Sequence, residues 1–287
     1  LYRAVLFDFF GTLTEAVVRG PWHASIARRL GCDPVAFIEV LDRSFPARCR
    51  GIFGTAEATL RWVCDQLGAD PPADRLRAVV RDRIAAVWAD TRLRPDAVAV
   101  LAALDRRRFR TAVVSDCGYE LPAFLPRLPV APLLDTCVYS VDIGECKPEP
   151  AIYLAACERL AVSPEECLYV GDGGSRELTG AAAVGMQPVR LAAPDLHRHL
   201  VFAPDRDFTG PVVDSLTAAV RLLDRPARTP VRPVAARSAR LRPVPAGSVP
   251  AGSVPAGSVP AGSAPAGSVP AGSAPAGSVP AGVTSPP

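Results

Sequence analysis

Apolar and polar positions divide this 287-residue chain into three kinds of stretch. The first kind is short and almost unbroken in its apolar character. It comprises Ala4-Val-Leu-Phe7, Thr111-Ala-Val-Val-Ser115, Cys137-Val-Tyr-Ser140, Cys167-Leu-Tyr-Val-Gly-Asp172 and Pro188-Val-Arg-Leu191. Runs this short suit strands buried on both faces. The second kind places apolar residues at helical spacing. It predicts helices over residues 24–30, 35–41, 56–67 and 73–88, punctuated by Gly31, Gly51, Gly54, Gly68 and Pro71-Pro72. Later helices are predicted from 95 to about 108, over 148–160 with proline in the first turn, over 175–184, and over 214–223 with Asp214 or Ser215 as cap. Residues 121–134 are proline-rich and read as irregular. The third kind begins at Val244. There Val/Ala-Pro-Ala-Gly-Ser repeats seven times, followed by a truncated eighth copy.

Strands that alternate with helices predict a three-layer α/β fold on a parallel sheet. The helices of residues 15–95 follow a single strand and read as an inserted helical domain. The expected organisation is an α/β core of 1–14 and 96–224, the helical insert 15–95, a basic proline-rich linker 225–243, and repeats 244–287. The repeats carry no aromatic or charged residue and too little apolar bulk to fold, so they are expected to be disordered.

Charge changes this picture in one respect. All 29 acidic residues lie at or before Asp224, and six of the 32 basic ones follow it. The part up to Asp224 is therefore net −3 and the remainder +6. The folding part lacks the basic excess that nucleic acid demands. No apolar run approaches a membrane span. Eight cysteines form no Cys-x-x-Cys pair and only three histidines accompany them, which argues against a zinc site. Buried free thiols in a reducing cytoplasm are expected. The chain does not begin with Met, so a short N-terminal piece is expected ahead of Leu1.

Several strand ends carry chemistry. Asp8 closes the first strand, and Gly11 beyond it permits a sharp turn. Ser115 closes the second and Asp172 a later one. Lys147 is the only lysine in an arginine-rich chain. Open α/β sheets bind ligands at these ends. Taken singly, each residue has a bland explanation: an Asp or Ser that shapes a turn, a solvated Lys, or, at Glu177, a first-turn acid facing the helix dipole. Together, two carboxylates and one lysine at strand ends make a metal and phosphate site, over which the helical block can close.

Phe7-Asp-Phe-Phe-Gly-Thr-Leu13 resembles the first motif of the haloacid dehalogenase-like hydrolases, Asp-x-Asp-Gly-Thr-Leu. Val-Val-Ser115-Asp-Cys-Gly118 is similar to the second motif, Lys147-Pro to the third, and Gly171-Asp172-Gly-Gly-Ser-Arg-Glu177 to the fourth. The resemblance covers roughly residues 4–224. It implies a Rossmann-like three-layer core with a helical cap between the first two motifs. It also implies an aspartyl nucleophile, Asp8, with Ser115, Asp116 and Lys147 around the transferring phosphoryl group. Mg²⁺ would be held by Asp8, the backbone carbonyl of Phe10 and Asp172, with Glu177 reached through water. The expected substrate is a small phosphorylated metabolite. Nucleic-acid and membrane partners are not expected.

Phe10 departs from the pattern, because the family's second Asp, its usual general acid/base, stands at this position. Three outcomes follow. A phosphatase would act on esters with good leaving groups or borrow an acid/base from Thr14, Glu15, Asp116 or a cap residue. A metal-independent dehalogenase would need no proton donor, since halide leaves unprotonated, and those relatives carry an aromatic Tyr here. A non-catalytic member would bind a phosphorylated ligand. The cap residues Trp22, His23, Phe45, Arg48 and Arg50 are candidates to face a substrate, each against the simpler expectation of core packing or a solvated helix face.

Overall fold

The computed structural model describes residues 1–224. The linker 225–243 and the repeats 244–287 lie outside the described residues. A six-stranded sheet of order β3-β2-β1-β4-β5-β6 forms the centre, and every neighbouring pair is parallel. Its strands are β1 (Ala4–Phe7), β2 (Arg110–Ser115), β3 (Thr136–Tyr139), β4 (Cys167–Gly171), β5 (Gln187–Leu191) and β6 (Val212–Val213). β1 lies between β2 and β4, which is why its four residues are all apolar and all buried. Alternation along it feeds two cores. Val5 and Phe7 join Leu101, Val113, Phe124, Val170 and Leu216 on one face. Ala4 and Leu6 join Val114, Ile152, Tyr153, Tyr169 and Leu178 on the other.

The segment from β1 to β2 carries α1 (Trp22–Arg29), α2 (Pro34–Arg43), α3 (Phe45–Arg48), α4 (Ala56–Asp65), α5 (Ala73–Ala89) and α6 (Ala97–Arg106). The first five form the helical block. Local signals start its helices. Asp33 caps α2 by accepting from the Val35 and Ala36 N–H groups, with Pro34 in the first turn, and Thr55 caps α4 through the Ala58 N–H. Their apolar stripes meet in a core of their own, built on Ile26, Leu30, Phe37, Leu41, Leu60, Val63 and Val79.

The remaining helices are α7 (Glu120–Phe124), α8 (Ser140–Ile143), α9 (Pro150–Leu160), α10 (Glu177–Ala183) and α11 (Leu216–Val220). Three expectations need correction. Residues 121–134 are not wholly irregular, because α7 and two 3₁₀ turns, Leu125–Arg127 and Ala131–Leu133, shape them. The helix expected from 175 starts at Glu177, because Ser175 and Arg176 take left-handed backbone angles (φ 53° and 51°). That detour points the Glu177 side chain back under the Gly173 N–H. The last helix is shorter than expected, with Ser215 as cap and a 3₁₀ turn over Arg221–Asp224.

Candidate active site

The carboxyl ends of β1, β2 and β4 and the turn before α9 converge on one cavity, whose lining includes Asp8, Phe10, Asp116, Lys147, Asp172 and Glu177. Asp8 leaves β1 with its N–H donating to the Val170 carbonyl (2.9 Å), so the sheet fixes its backbone. A tight turn over Phe9–Leu13 follows, with Gly11 at φ 80°. Arg94 clamps this turn: Nε donates to the Thr12 carbonyl and Nη2 to the Gly11 carbonyl, both at 2.9 Å.

Lys147 is the hub. Its Nζ donates to Asp8 Oδ1 at 2.6 Å and to Glu177 Oε2 at 2.7 Å, and its backbone N–H donates to Asp116 Oδ1 at 2.9 Å. Burial by itself would favour a neutral amine, but the Asp8 and Glu177 carboxylates overrule it and hold Lys147 well above its ordinary range. Asp8 is pushed up by burial and further by Asp172, with Lys147 opposing both. Glu177 is fully buried and is also pushed up by burial. It accepts from Gly173 N–H on Oε1 and from Lys147 and Tyr169 on Oε2. Both of its oxygens are thereby engaged.

Carboxylate oxygens of Asp8, Asp172 and Glu177 lie within 4.8 Å of one another. Asp172 spends Oδ1 on the Gly174 N–H (3.1 Å), and its Oδ2 faces His199 Nε2 at 3.8 Å. Ser115 Oγ and Thr12 Oγ1 are buried without a hydrogen-bond partner among the described residues. Buried hydroxyls are normally satisfied, so the orphan Ser115 Oγ at the end of β2 fits a ligand-binding role. The Phe10 ring stands in the cavity, edge-on to Phe9.

The helical block supplies the opposite wall. His23, Phe45 and Arg48 line the cavity, whereas Trp22 is exposed and Arg50 turns back to the Pro46 carbonyl. Behind them runs a buried polar chain. Arg83 Nε donates to Glu120 Oε1 (2.6 Å), Arg83 Nη1 meets His23 Nδ1 (3.2 Å), and His23 Nε2 meets Asp90 Oδ2 (2.8 Å). Burial and the Arg83 charge push His23 below its ordinary range, so its ring is neutral. Nδ1 then accepts from Arg83 while Nε2–H donates to Asp90.

A loop after β5 closes the side. Asp195 accepts from the Ala16 N–H (2.7 Å) and from Arg94 Nη1 (2.9 Å), and His199 Nδ1 accepts from the Val17 N–H (2.9 Å). Phe202 from this loop stacks on Phe45 of α3 at 4.4 Å.

Of the residues the four motifs supply, Asp8, Phe10, Asp116, Lys147, Asp172 and Glu177 line the cavity, and Ser115 lies directly beside Asp116. Of the acid/base candidates in the sequence, Asp116 lines the cavity, and burial pushes its carboxyl up. Thr14 is instead committed to the Gly11 N–H and the Glu15 carbonyl, and Glu15 borders a separate groove. Sequence reasoning missed Arg83, Arg94, Glu120 and His199. Only Arg83 left a signal, because it interrupts the buried stripe Leu76, Val79, Arg83, Ala86 of α5.

Comparison with known proteins gives a consistent outcome. A family model described as haloacid dehalogenase-like hydrolase matches residues 2–185. (S)-2-haloacid dehalogenase 1 of Pseudomonas sp. (strain CBS-3) is 32% identical over 214 residues, covering 71% of this chain and 90% of that protein. Glyceraldehyde 3-phosphate phosphatase of Methanopyrus kandleri is 34% identical over 127 residues, 44% of this chain and 54% of that protein. The crystal structure of a 2-haloacid dehalogenase from Pseudomonas syringae pv. tomato shares the fold, with a TM-score of 0.57 at 20% identity over 78% of this chain and 99% of that one.

Proposed function

Because the chain belongs to the haloacid dehalogenase-like hydrolases, we propose that it is a Mg²⁺-dependent phosphatase of a small phosphorylated metabolite, with Asp8 as nucleophile. The observation that carries this reading is a charge imbalance. Four acids, Asp8, Asp116, Asp172 and Glu177, line the cavity, and even with a proton on Asp116 three carboxylates share the one Lys147 charge. An anionic ester would be repelled there unless a further cation joined it.

The donor set fits Mg²⁺, a hard cation that takes oxygen ligands and keeps several waters. Asp8 and Asp172 have oxygens to offer. Glu177 already accepts from Gly173, Lys147 and Tyr169, so it would orient Lys147 and reach the ion through water. A divalent cation there would neutralise the charge of the ester. The remaining chemistry is the chain's own. Asp8 Oδ1 is held by Lys147, which leaves Oδ2 to attack phosphorus as the ester oxygen departs. Water then hydrolyses the aspartyl phosphate and frees Asp8. Ser115 Oγ and Lys147 hold phosphoryl oxygens. Phe10 transfers no proton, so we assign the proton to Asp116, whose buried carboxyl holds one more readily than an exposed acid. The helical block acts as the cap that excludes water.

A second reading rests on Phe10 itself. The aromatic ring in the cavity and the 32% identity to a 2-haloacid dehalogenase favour displacement of halide from carbon by the same Asp8, which requires no proton donor. One experiment separates the two: phosphate and halide release from panels of phosphate esters and 2-haloacids, with and without Mg²⁺, beside Asp8→Asn. Mg²⁺-dependent phosphate release supports the first reading, and metal-independent halide release the second. Turnover that survives Asp8→Asn overturns the nucleophile in both.

A further inference from the structure

We propose that Asp205, in the loop after β5, is a positioning residue for the candidate site: it fixes the turn between β4 and α10 so that Glu177 holds Lys147 against Asp8. The inference rests on the Asp8 chemistry above and applies to either leaving group.

The turn between Asp172 and Glu177 needs support from outside itself. Gly173, Ser175 and Arg176 all take left-handed backbone angles (φ 97°, 53° and 51°). Glycine adopts such angles freely, but Ser and Arg do so at a cost. The loop after β5 holds all three. The Ser175 N–H donates to the Phe202 carbonyl (2.7 Å), the Arg176 N–H to the Ala203 carbonyl (3.0 Å), and the Asp205 N–H to the Gly173 carbonyl (2.7 Å). The Asp205 side chain then closes the far end. Its Oδ2 accepts from the Thr179 N–H and its Oδ1 from the Thr179 hydroxyl, both at 2.7 Å. Thr179 is the third residue of α10, and Arg176, which precedes that helix, makes no side-chain cap. Asp205 thus satisfies a first-turn N–H from 26 residues away.

Gly173 is where this support reaches the site. Its carbonyl is held by Asp205, and its N–H donates to Glu177 Oε1 (2.8 Å). Glu177 opens α10 two residues before Thr179, so Asp205 grips the chain on both sides of it. From there Glu177 Oε2 meets Lys147 Nζ at 2.7 Å, and Lys147 Nζ meets Asp8 at 2.6 Å. Asp205 is itself 3% exposed. Arg190 closes over it, with Nη2 donating to the Asp205 carbonyl, and a Cβ on Gly173 would stand 3.0 Å from the same guanidinium. Asp205 is not among the residues that line the cavity, so it acts on Lys147 through this turn.

Lys147 is the only lysine, which gives the test a readout independent of turnover. In the full chain labelled with ¹⁵N-lysine, one side-chain ammonium signal reports the surroundings of Lys147. Asp205→Ala is expected to move and broaden that signal. Asp205→Asn is expected to keep it, because an amide accepts from the Thr179 N–H and donates to the Thr179 hydroxyl. Asp135→Ala is the control. Asp135 accepts from the Thr111 N–H (2.8 Å) and pairs with Arg110 (2.6 Å) at the start of β2, the end of the sheet away from the cavity. Its loss costs stability and is expected to leave the Lys147 signal in place. Thr179→Val, at an exposed position, guards against misfolding and is expected to move the signal in the same direction by less. Release of phosphate or halide by Asp205→Ala is expected to fall about 100-fold in kcat, with KM little changed, the effect of a small misplacement. An unmoved signal in folded Asp205→Ala, or in Thr179→Val if Asp205→Ala does not fold, overturns the positioning role even where kcat falls. An equal move in Asp135→Ala overturns it too. If the unaltered chain releases neither product, the Asp8 reading fails, and the Lys147 signal still decides the role of Asp205.

Discussion

The imidazole of His199 packs against Gly11 so closely that a Cβ on Gly11 would stand 2.6 Å from Nε2. The contact joins the turn after β1 to the loop after β5. Neither partner can yield easily. His199 is held by the Val17 N–H, and Gly11 is held by Thr14 Oγ1 and Arg94. Gly11→Ala therefore meets two obstacles, the steric contact and a φ of 80° that costs an L-residue about 1–2 kcal/mol. We expect a loss of several degrees in Tm, at about 2–4 °C per kcal/mol for a fold of this size, together with loss of turnover. Thermal melting checks it, and an unchanged Tm would contradict the contact.

Lys147 faces two carboxylates with its one charge. Lys147→Met leaves Asp8 and Glu177 buried together without a counter-charge, and removing one partner of such a pair costs about 3–5 kcal/mol. Lys147→Arg keeps the charge but presents a wide, planar head where a point charge fits between Oδ1 and Oε2. Both variants are expected to lose turnover, and Met is expected to lose more stability than Arg. Urea midpoints rank them. A Met variant as stable as the parent would mean that Asp8 and Glu177 are uncharged without Lys147.

The α/β core was legible because parallel strands buried on both faces leave unbroken apolar runs, and Asp8, Ser115 and Asp172 stand where those runs stop. Glu177 was legible as an acid, but its hydrogen-bond partners were not. Its orientation depends on left-handed angles at Ser175 and Arg176, which no propensity of those residue types announces. Arg94 and His199 reach the site from positions 80 to 190 residues away in the chain. Only the folded sheet brings them to Gly11, so periodicity had no means of finding them. The Arg83–Glu120 pair was half legible, since a charge in a buried helical stripe demands a partner but does not name it.

His23 gives the fold a predictable response to acid. Burial and Arg83 lower it from its ordinary 6.5, while the Asp90 hydrogen bond opposes them, and Arg19 adds to the lowering. A base depressed in the folded state binds fewer protons there than in the unfolded chain. Stability therefore is full above pH 6.5 and falls as pH drops below it toward the folded-state value. His23→Gln, which keeps a polar side chain without titrating, is expected to flatten that slope. Urea unfolding at pH 5 and pH 7.5 measures both chains, and an equal slope in the variant would assign the acid response to other groups.

Phe10→Asp tests the chemistry most directly. Phe10 stands in the cavity two residues beyond Asp8, so a carboxyl there reaches the space in which a leaving group departs. General acid/base help is worth about 10²–10⁴-fold, and part of that should appear as faster phosphate release. Two effects oppose the gain. A further carboxylate joins a floor already in acidic surplus, and the edge-on packing against Phe9 is lost. We therefore expect a rise of about 10-fold, largest for esters whose alcohols leave poorly, with little change for activated esters that leave unaided. Comparing an alkyl with a nitrophenyl phosphate separates these cases. A uniform loss on both would show that Asp116 already supplies the proton and that the new carboxylate only displaces the substrate. Halide release would respond in the opposite sense, because a dehalogenating site gains nothing from an acid and loses its apolar wall. The sign of the change on each substrate class therefore reports which leaving group the Phe10 pocket accommodates.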